Sequence, residues 1–261
     1  MRVLFLGDVI GKPGRRALRR VLPHLIDREQ LAMVIANGEN ICEGAGVDRE
    51  GFADLVDAGV DVVTSGNHIW RRKETAELIA SEPRLIRPAN FPPGAPGRGW
   101  TTHESADGFN IAVVNLMGRV HMDGTDCPFR AADAILAELG DQARTIIVDM
   151  HAEATSEKAA MGWYLAGKVT AVLGSHTHVQ TADEAILRGE TAYITDAGMC
   201  GPSESVIGVE TELALRRFLS QMPVKFSVAR GPVIVQGVFV DIDPETGRAQ
   251  GIRRLREVVK L

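Results

Sequence analysis

Cysteine is sparse in this sequence. Cys42, Cys127 and Cys200 are odd in number and far apart, which excludes a disulfide framework and leaves reduced thiols in a cytoplasmic protein as the simplest reading. Long apolar runs are missing as well. None approaches the length of a membrane span, and the opening run Arg2–Leu6, followed so soon by Asp8 and Lys12, is too brief for a signal segment. Nor is there an excess of positive charge. A formal net charge of −5 excludes broad, non-specific nucleic-acid binding, which needs a basic face to displace counterions. A single nucleotide or a short RNA end stays admissible as substrate, because a bound cation supplies positive charge locally. No repeat, low-complexity tract or linker divides the chain, so residues 1–261 read as one domain. Its 45% hydrophobic and 24% charged residues suit a soluble globular protein able to bury a full core.

What the sequence does have is a recurrent junction: an apolar, β-branched run leading directly into residues able to bind a metal. Arg2–Leu6 leads to Asp8, and Ala32–Ala36 to Glu39 and Asn40. Asp61–Thr64 leads to Asn67 and His68, Thr145–Val148 to His151, and Val169–Leu173 to His176 and His178. Open α/β sheets place ligands outside the carboxyl ends of their strands, so five such junctions predict a binding crevice. Further strands are expected at Asn110–Asn115, Ala192–Thr195 and Pro232–Asp241. Helical periodicity marks Arg15–Arg28, and further helices are expected across Arg49–Ala58 and near Lys73–Ala80, Phe129–Leu139 and Glu157–Leu165. Pro23 is expected to kink or end the first helix, and Gly59 to cap the second. Asp243–Gly247 predicts a hairpin turn, and Gly201–Gly231 carries no assignable pattern. Helix and strand alternate early and strands dominate late, which points to two packed sheets with helices outside.

Within Gly174-Ser-His-Thr-His178, residues two apart in an extended loop point the same way, so both histidines can reach one site. Gly66-Asn-His68 offers an amide oxygen, an acceptable ligand beside carboxylates and imidazoles, and a histidine that could be ligand or proton donor; a turn is the plainer reading of Gly-Asn. Asp8 and Glu39 are carboxylates of the kind that can bridge two cations, although Asp8 could instead cap a helix and Glu39 could pair with an arginine. Asp196 ends a further strand and could hold a ligand histidine. Glu153, Thr155 and Lys158 could contact substrate or orient His151, with an ordinary helix start as the commoner explanation. The run Gly7–Lys12 fails as a Walker A loop, since three residues separate its glycines and Pro13 follows the lysine. His24, His103 and His121 read as surface residues, and Arg15, Arg16, Arg19 and Arg20 as a solvated helix face.

Taken together and in this order, the motifs from Asp8 to His178 resemble the calcineurin-like metallophosphoesterase superfamily. Two departures, Ile10 where a histidine is usual and Glu39 in place of a bridging aspartate, are similar to the YmdB-type branch, a bacterial group associated with cyclic-nucleotide phosphodiesterase activity. Gly7–Gly14, Asn37–Asn40, His151–Lys158 and Thr195–Pro202 look like that branch's own signatures.

The resemblance implies a four-layer α/β/β/α sandwich of two mixed β-sheets flanked by helices. It implies one metal held by Asp8, Glu39, Asn40 and His178, and a second by Glu39, Asn67, His151 and His176, with Glu39 bridging. A hydroxide between the ions would attack phosphorus while His68 protonates the departing ribose oxygen. The ligand types suit iron first, with manganese and zinc as alternatives. The expected substrate is a 2′,3′-cyclic or 3′,5′-cyclic nucleotide. The competing readings are a phosphomonoesterase or phosphoprotein phosphatase on the same metals, and a non-enzymatic metal-containing module that recognises RNA or protein. The apolar, Gly-rich C-terminal third is compatible with a homo-oligomer.

Overall fold

The computed structural model describes residues 1–260; Leu261, the last residue of the expected domain, lies outside them. The first part of the chain alternates strand and helix: β1 (Arg2–Leu6), β2 (Asp8–Val9), α1 (Gly11–Glu29), β3 (Met33–Asn37), α2 (Arg49–Ala58), β4 (Val62–Thr64) and α3 (Thr75–Ser81). The middle follows with β5 (Trp100–Glu104), β6 (Asn110–Met117), α4 (Pro128–Leu139), β7 (Thr145–His151), α5 (Thr155–Leu165), β8 (Ala171–Ser175), β9 (Ala185–Leu187) and β10 (Thr191–Ile194). The chain closes with β11 (Met199–Pro202), α6 (Thr211–Ser220), β12 (Val233–Ile242) and β13 (Ala249–Val259).

Two mixed sheets result. The first runs β2-β11-β12-β1-β3-β4 with β13 on β12, and the second runs β5-β6-β7-β8-β10-β9. Strands β1, β3 and β4 are parallel, as are β6, β7, β8 and β10. In each sheet the parallel strands therefore end on a common edge, and those edges carry the metal-binding residue types.

Side-chain alternation explains the layers. Along β1, Val3 and Phe5 join a cluster with Ile111, Val113, Ile147 and Leu173 of the second sheet, while Leu4 and Leu6 face Leu18, Leu22 and Leu55 of α1 and α2. Period two in a strand sends alternate residues to opposite faces, so both faces of the sheet must be covered. The second sheet behaves likewise, with Ala112 and Val114 packed against Ile135 of α4 and Met161 of α5. Each fully buried Leu, Ile or Phe in these clusters contributes about 1.5–3 kcal/mol. The expected α/β/β/α sandwich is what the chain forms.

Two local expectations need correction. Helix α1 does not end at Pro23, which is exposed, but reaches Glu29. Arg15 is no part of a solvated face: α1 packs on α2, and the buried guanidinium pairs with Asp54 at 2.5 Å. Arg16, Arg19 and Arg20 are exposed as expected. Gly59 caps α2 in the left-handed region, at φ 105°. The unassigned stretch holds α6, which buries only Ala214 and leaves Leu215, Phe218 and Leu219 exposed. No helix among the described residues is long and apolar enough to cross a membrane.

Candidate metal centre

The five junctions meet where the two sheets share an edge. Asp8 pairs in β2 rather than capping α1, whose N-cap is Ile10. Glu39 and Asn40 lie just past the end of β3, Asn67 and His68 past β4, His151 ends β7, and His176 and His178 follow β8. Among the described residues Glu39 makes no ion pair with an arginine; its partners are histidines. Glu39 Oε1 lies 3.3 Å from His151 Nε2 and 3.4 Å from His68 Nδ1, and Oε2 accepts from the His68 amide at 2.9 Å.

Around His151 Nε2, ligand atoms crowd together. Asn67 Oδ1 is 3.2 Å away and His176 Nδ1 3.1 Å. One nitrogen or oxygen from each of Glu39, His151 and His176 falls within 4.8 Å of the others. A second group adjoins it. His178 Nε2 stands 3.8 Å from Asp8 Oδ1, and the other oxygen of Asp8 accepts from the His176 amide at 3.0 Å. Asp8 Oδ1 and Asn40 Oδ1 are buried with no hydrogen-bond partner. Buried acceptors are rarely left bare, and Asp8 Oδ1 has His178 Nε2 at 3.8 Å and His151 Nδ1 at 4.0 Å.

The imidazole tautomers follow from outer partners, an arrangement that metal-binding histidines depend on. Ser175 donates to Asp149 Oδ1 at 2.6 Å, so its oxygen must accept from His151 Nδ1 at 2.9 Å, which in the neutral ring leaves the Nε2 lone pair toward the cluster. Asp149 is fully buried and also accepts from Thr64 Oγ1 at 2.5 Å and Asn37 Nδ2 at 3.0 Å. His178 Nδ1 donates to the Ile207 carbonyl at 2.8 Å, and His176 Nε2 faces Glu153 Oε2 at 3.1 Å. In His68, Nδ1 accepts from Asn40 Nδ2 at 3.1 Å; Nε2 therefore carries the proton in the neutral ring.

Charge is unevenly distributed over the site. Burial pushes the Asp8 carboxyl up to about 6, against the pull of His178 and His151. Burial opposes the Glu39 charge as well, but there His151 and His68 outweigh it and hold the group down at about 2. Burial also opposes charge on His151, yet Glu39 and Asp8 win and raise it to about 9. Burial and the neighbouring His151 drive His176 down to about 3, and burial lowers His68 against the opposing effect of Glu39. A neutral His176 is ready to bind a cation, whereas His151 must first lose a proton.

All eight predicted site residues are thus brought together: Asp8, Glu39, Asn40, Asn67, His68, His151, His176 and His178. Carboxylate, amide and imidazole atoms with bare lone pairs fit cations of the iron, manganese or zinc type. Gly66 permits the approach, since a Cβ there would lie 2.2 Å from His151 Nε2 and 2.6 Å from Glu39 Oε2. Three further candidates have different partners from those expected. Glu153 touches His176, not His151. Asp196 holds no histidine but pairs with Lys158 at 2.7 Å, so neither that aspartate nor that lysine orients His151. Thr155 is exposed at the start of α5. His24 and His121 are exposed, and His103 is half-buried 3.6 Å from Asp61. The sequence reading overlooked Asn37, Asp149 and Ser175; the signal available was the two-residue spacing that puts Asp149 on the same strand face as His151.

The model of the YmdB-like protein family matches residues 4–255. A 2′,3′-cyclic-nucleotide 2′-phosphodiesterase of Bacillus subtilis (strain 168) is 46% identical over 255 residues, covering 98% of this chain and 96% of its own. A solved hypothetical protein from Thermus thermophilus superposes with a TM-score of 0.93 at 44% identity, over 99% of both chains. A solved candidate 5′-nucleotidase from Staphylococcus aureus, at TM-score 0.57 and 14% identity over 100% of this chain and 54% of its own, shares the fold alone. Fold and sequence agree: the chain belongs to the YmdB-like family.

Proposed function

We propose that this chain is a two-metal phosphodiesterase that opens nucleoside 2′,3′-cyclic phosphates. The observation that carries the reading is the pair of buried, unpartnered acceptors, Asp8 Oδ1 and Asn40 Oδ1, beside three histidines whose outer hydrogen bonds leave their lone pairs turned inward. Asp8, Glu39, Asn40 and His178 would hold one cation, and Glu39, Asn67, His151 and His176 the other. Iron is the proposed metal, with manganese and zinc as alternatives; elemental analysis of anaerobically purified protein decides among them. When bound, the pair supplies Lewis acidity toward the phosphoryl oxygens and makes water a stronger acid.

The protein's own part is positioning and proton supply. The His68 side chain is 29% exposed, and Glu39 Oε1 lies 3.4 Å from its Nδ1, a carboxylate that favours the doubly protonated ring a general acid requires. The doubly protonated His68 gives a proton to the departing ribose oxygen as the oxygen of an attacking water bonds to phosphorus and the phosphorus–oxygen ester bond breaks, the water's proton passing to solvent. The diester preference and the 2′ regiochemistry rest on the activity named for the Bacillus subtilis relative. Breaking the ester at the 2′ oxygen leaves a nucleoside 3′-phosphate.

The test is a panel of 2′,3′-cyclic and 3′,5′-cyclic nucleotides, an RNA with a cyclic-phosphate end, bis-p-nitrophenyl phosphate and the p-nitrophenyl monoester, assayed after stripping and reloading with Mn²⁺. The expected result is turnover of 2′,3′-cyclic nucleotide and of the model diester, with 3′-phosphate as product. Cleavage of the monoester alone rejects the proposal. His68→Ala is expected to keep its metal and lose about 10²–10⁴-fold in turnover. Unchanged turnover removes His68 from the mechanism.

A further inference from the structure

The turn His176-Thr177-His178 has the most strained backbone near the site. His176 has φ 101° and His178 φ 64°, left-handed values that residues with a Cβ rarely adopt and that persist only where the surroundings enforce them. Thr177, between the two, is where that enforcement acts. Its amide and its hydroxyl both donate to Asp196 Oδ2, at 3.1 and 2.8 Å. Asp196 is fully buried and is itself fixed from the other side: Oδ1 accepts from the Gly198 amide at 2.9 Å, and Oδ2 from Lys158 Nζ at 2.7 Å.

Lys158 is among the largest fully buried side chains, 1% exposed. Desolvating an ammonium and a carboxylate together is costly, and a buried ion pair adds little net stability over a packed apolar pair. The pair therefore calls for a reason other than stability, and its position offers one. The adjoining end of β8 is pressed onto the same structure: a Cβ on Gly174 would meet the Thr195 carbonyl oxygen at 1.7 Å and Lys158 Cδ at 3.1 Å. Backbone strain, a two-point grip on Thr177 and a rigid, charge-neutralised base form one unit beneath both histidines.

We propose that Lys158 and Asp196 form a clamp that acts through Thr177 to hold the His176–His178 turn in its metal-binding shape, and so set the affinity of the centre for its cations. This rests on the two-metal reading above. Neither Lys158 nor Asp196 touches substrate or metal; both are positioning residues. With the Thr177 hydroxyl gone, the turn can relax toward ordinary φ values, and the two imidazoles no longer converge without a conformational cost.

The experiment titrates Mn²⁺ into EDTA-stripped protein by calorimetry, comparing the wild type with Thr177→Val, which keeps the branched shape, and with Thr177→Ser, which restores the hydroxyl. Thr177→Val is expected to bind at least one Mn²⁺ about 10–100-fold more weakly, the range found for outer partners of metal ligands, while Thr177→Ser stays near the wild type. Lys158→Met is expected to weaken binding in the same direction; if it fails to fold, the Thr177 pair decides. Unchanged affinity in Thr177→Val, or an equal loss in Thr177→Ser, overturns the clamp. A wild type that binds fewer than two Mn²⁺ instead rejects the two-metal reading, so the two failures are distinct.

Discussion

Ser175→Ala removes a single oxygen that joins Asp149 to His151. In the native chain this hydroxyl donates to Asp149 Oδ1 at 2.6 Å and accepts from His151 Nδ1 at 2.9 Å. Both partners are fully buried, so water cannot replace what is lost. Asn37 Nδ2, at 3.3 Å from His151 Nδ1, cannot substitute because it is itself a donor. Asp149 keeps its bonds from Thr64 and Asn37, so its loss is partial, whereas the His151 N–H is left bare. At about 1–3 kcal/mol for each buried group left unsatisfied, the stripped variant is expected to lose roughly 2–4 kcal/mol in a denaturant titration. The second consequence is functional. Without Ser175 nothing selects the Nδ1–H tautomer of His151, and the Nε2 lone pair is no longer reserved for a cation. A loss of about 10–100-fold in metal affinity is expected, equivalent to about 1.4–2.7 kcal/mol. Chelator competition measures it. A variant that is less stable but binds metal as tightly as the wild type would refute the tautomer argument and reduce Ser175 to packing.

Other perturbations separate the remaining parts. Gly66→Ala needs no unusual backbone, but its Cβ would reach within 2.2 Å of His151 and 2.6 Å of Glu39; it is expected to keep the fold by circular dichroism and to lose metal binding, and a normal metal content contradicts the geometry. In the stripped protein, His151 is raised to about 9 and Glu39 lowered to about 2. The raised histidine contributes stability that is complete below its unfolded value of about 6.5 and lost as pH climbs toward 9. The depressed carboxylate contributes above about 4.3 and is lost as pH falls toward 2. The melting temperature of stripped protein should therefore decline from pH 6.5 to 9, less so in Glu39→Gln, and metal uptake near neutrality should release a proton. Equal slopes in wild type and variant would rule out the His151–Glu39 pair as the cause.

The ligand-bearing junctions were legible because each joins two strong local signals, a β-branched run and a chemically unusual residue just after it. Two packed sheets with helices outside were legible from the order of elements, alternating early and strand-rich late; the four-layer arrangement came from the family resemblance. Arg15 was misread because sequence shows an arginine-rich helix face but not that α2 brings Asp54 to one of its members. Helix α6 escaped notice because its apolar residues do not form a core-facing stripe; Phe218 and Leu219 stay exposed and only Ala214 is buried. Asp149, Ser175 and Asn37 fall just beyond the apolar runs read as strands, in stretches where the more conspicuous histidines and Glu39 drew the assignment, although the strands themselves extend to include them. Their function depends on a long-range meeting of β3, β7 and β8, which no local pattern encodes.

The central claim is that two cations share Glu39. Electron paramagnetic resonance of the Mn²⁺-loaded protein tests it directly, since two manganese ions joined by one carboxylate couple magnetically. An exchange-coupled spectrum at two ions per chain, collapsing to isolated six-line signals in Glu39→Gln, is the expected result. Isolated signals from the fully loaded wild type would contradict it.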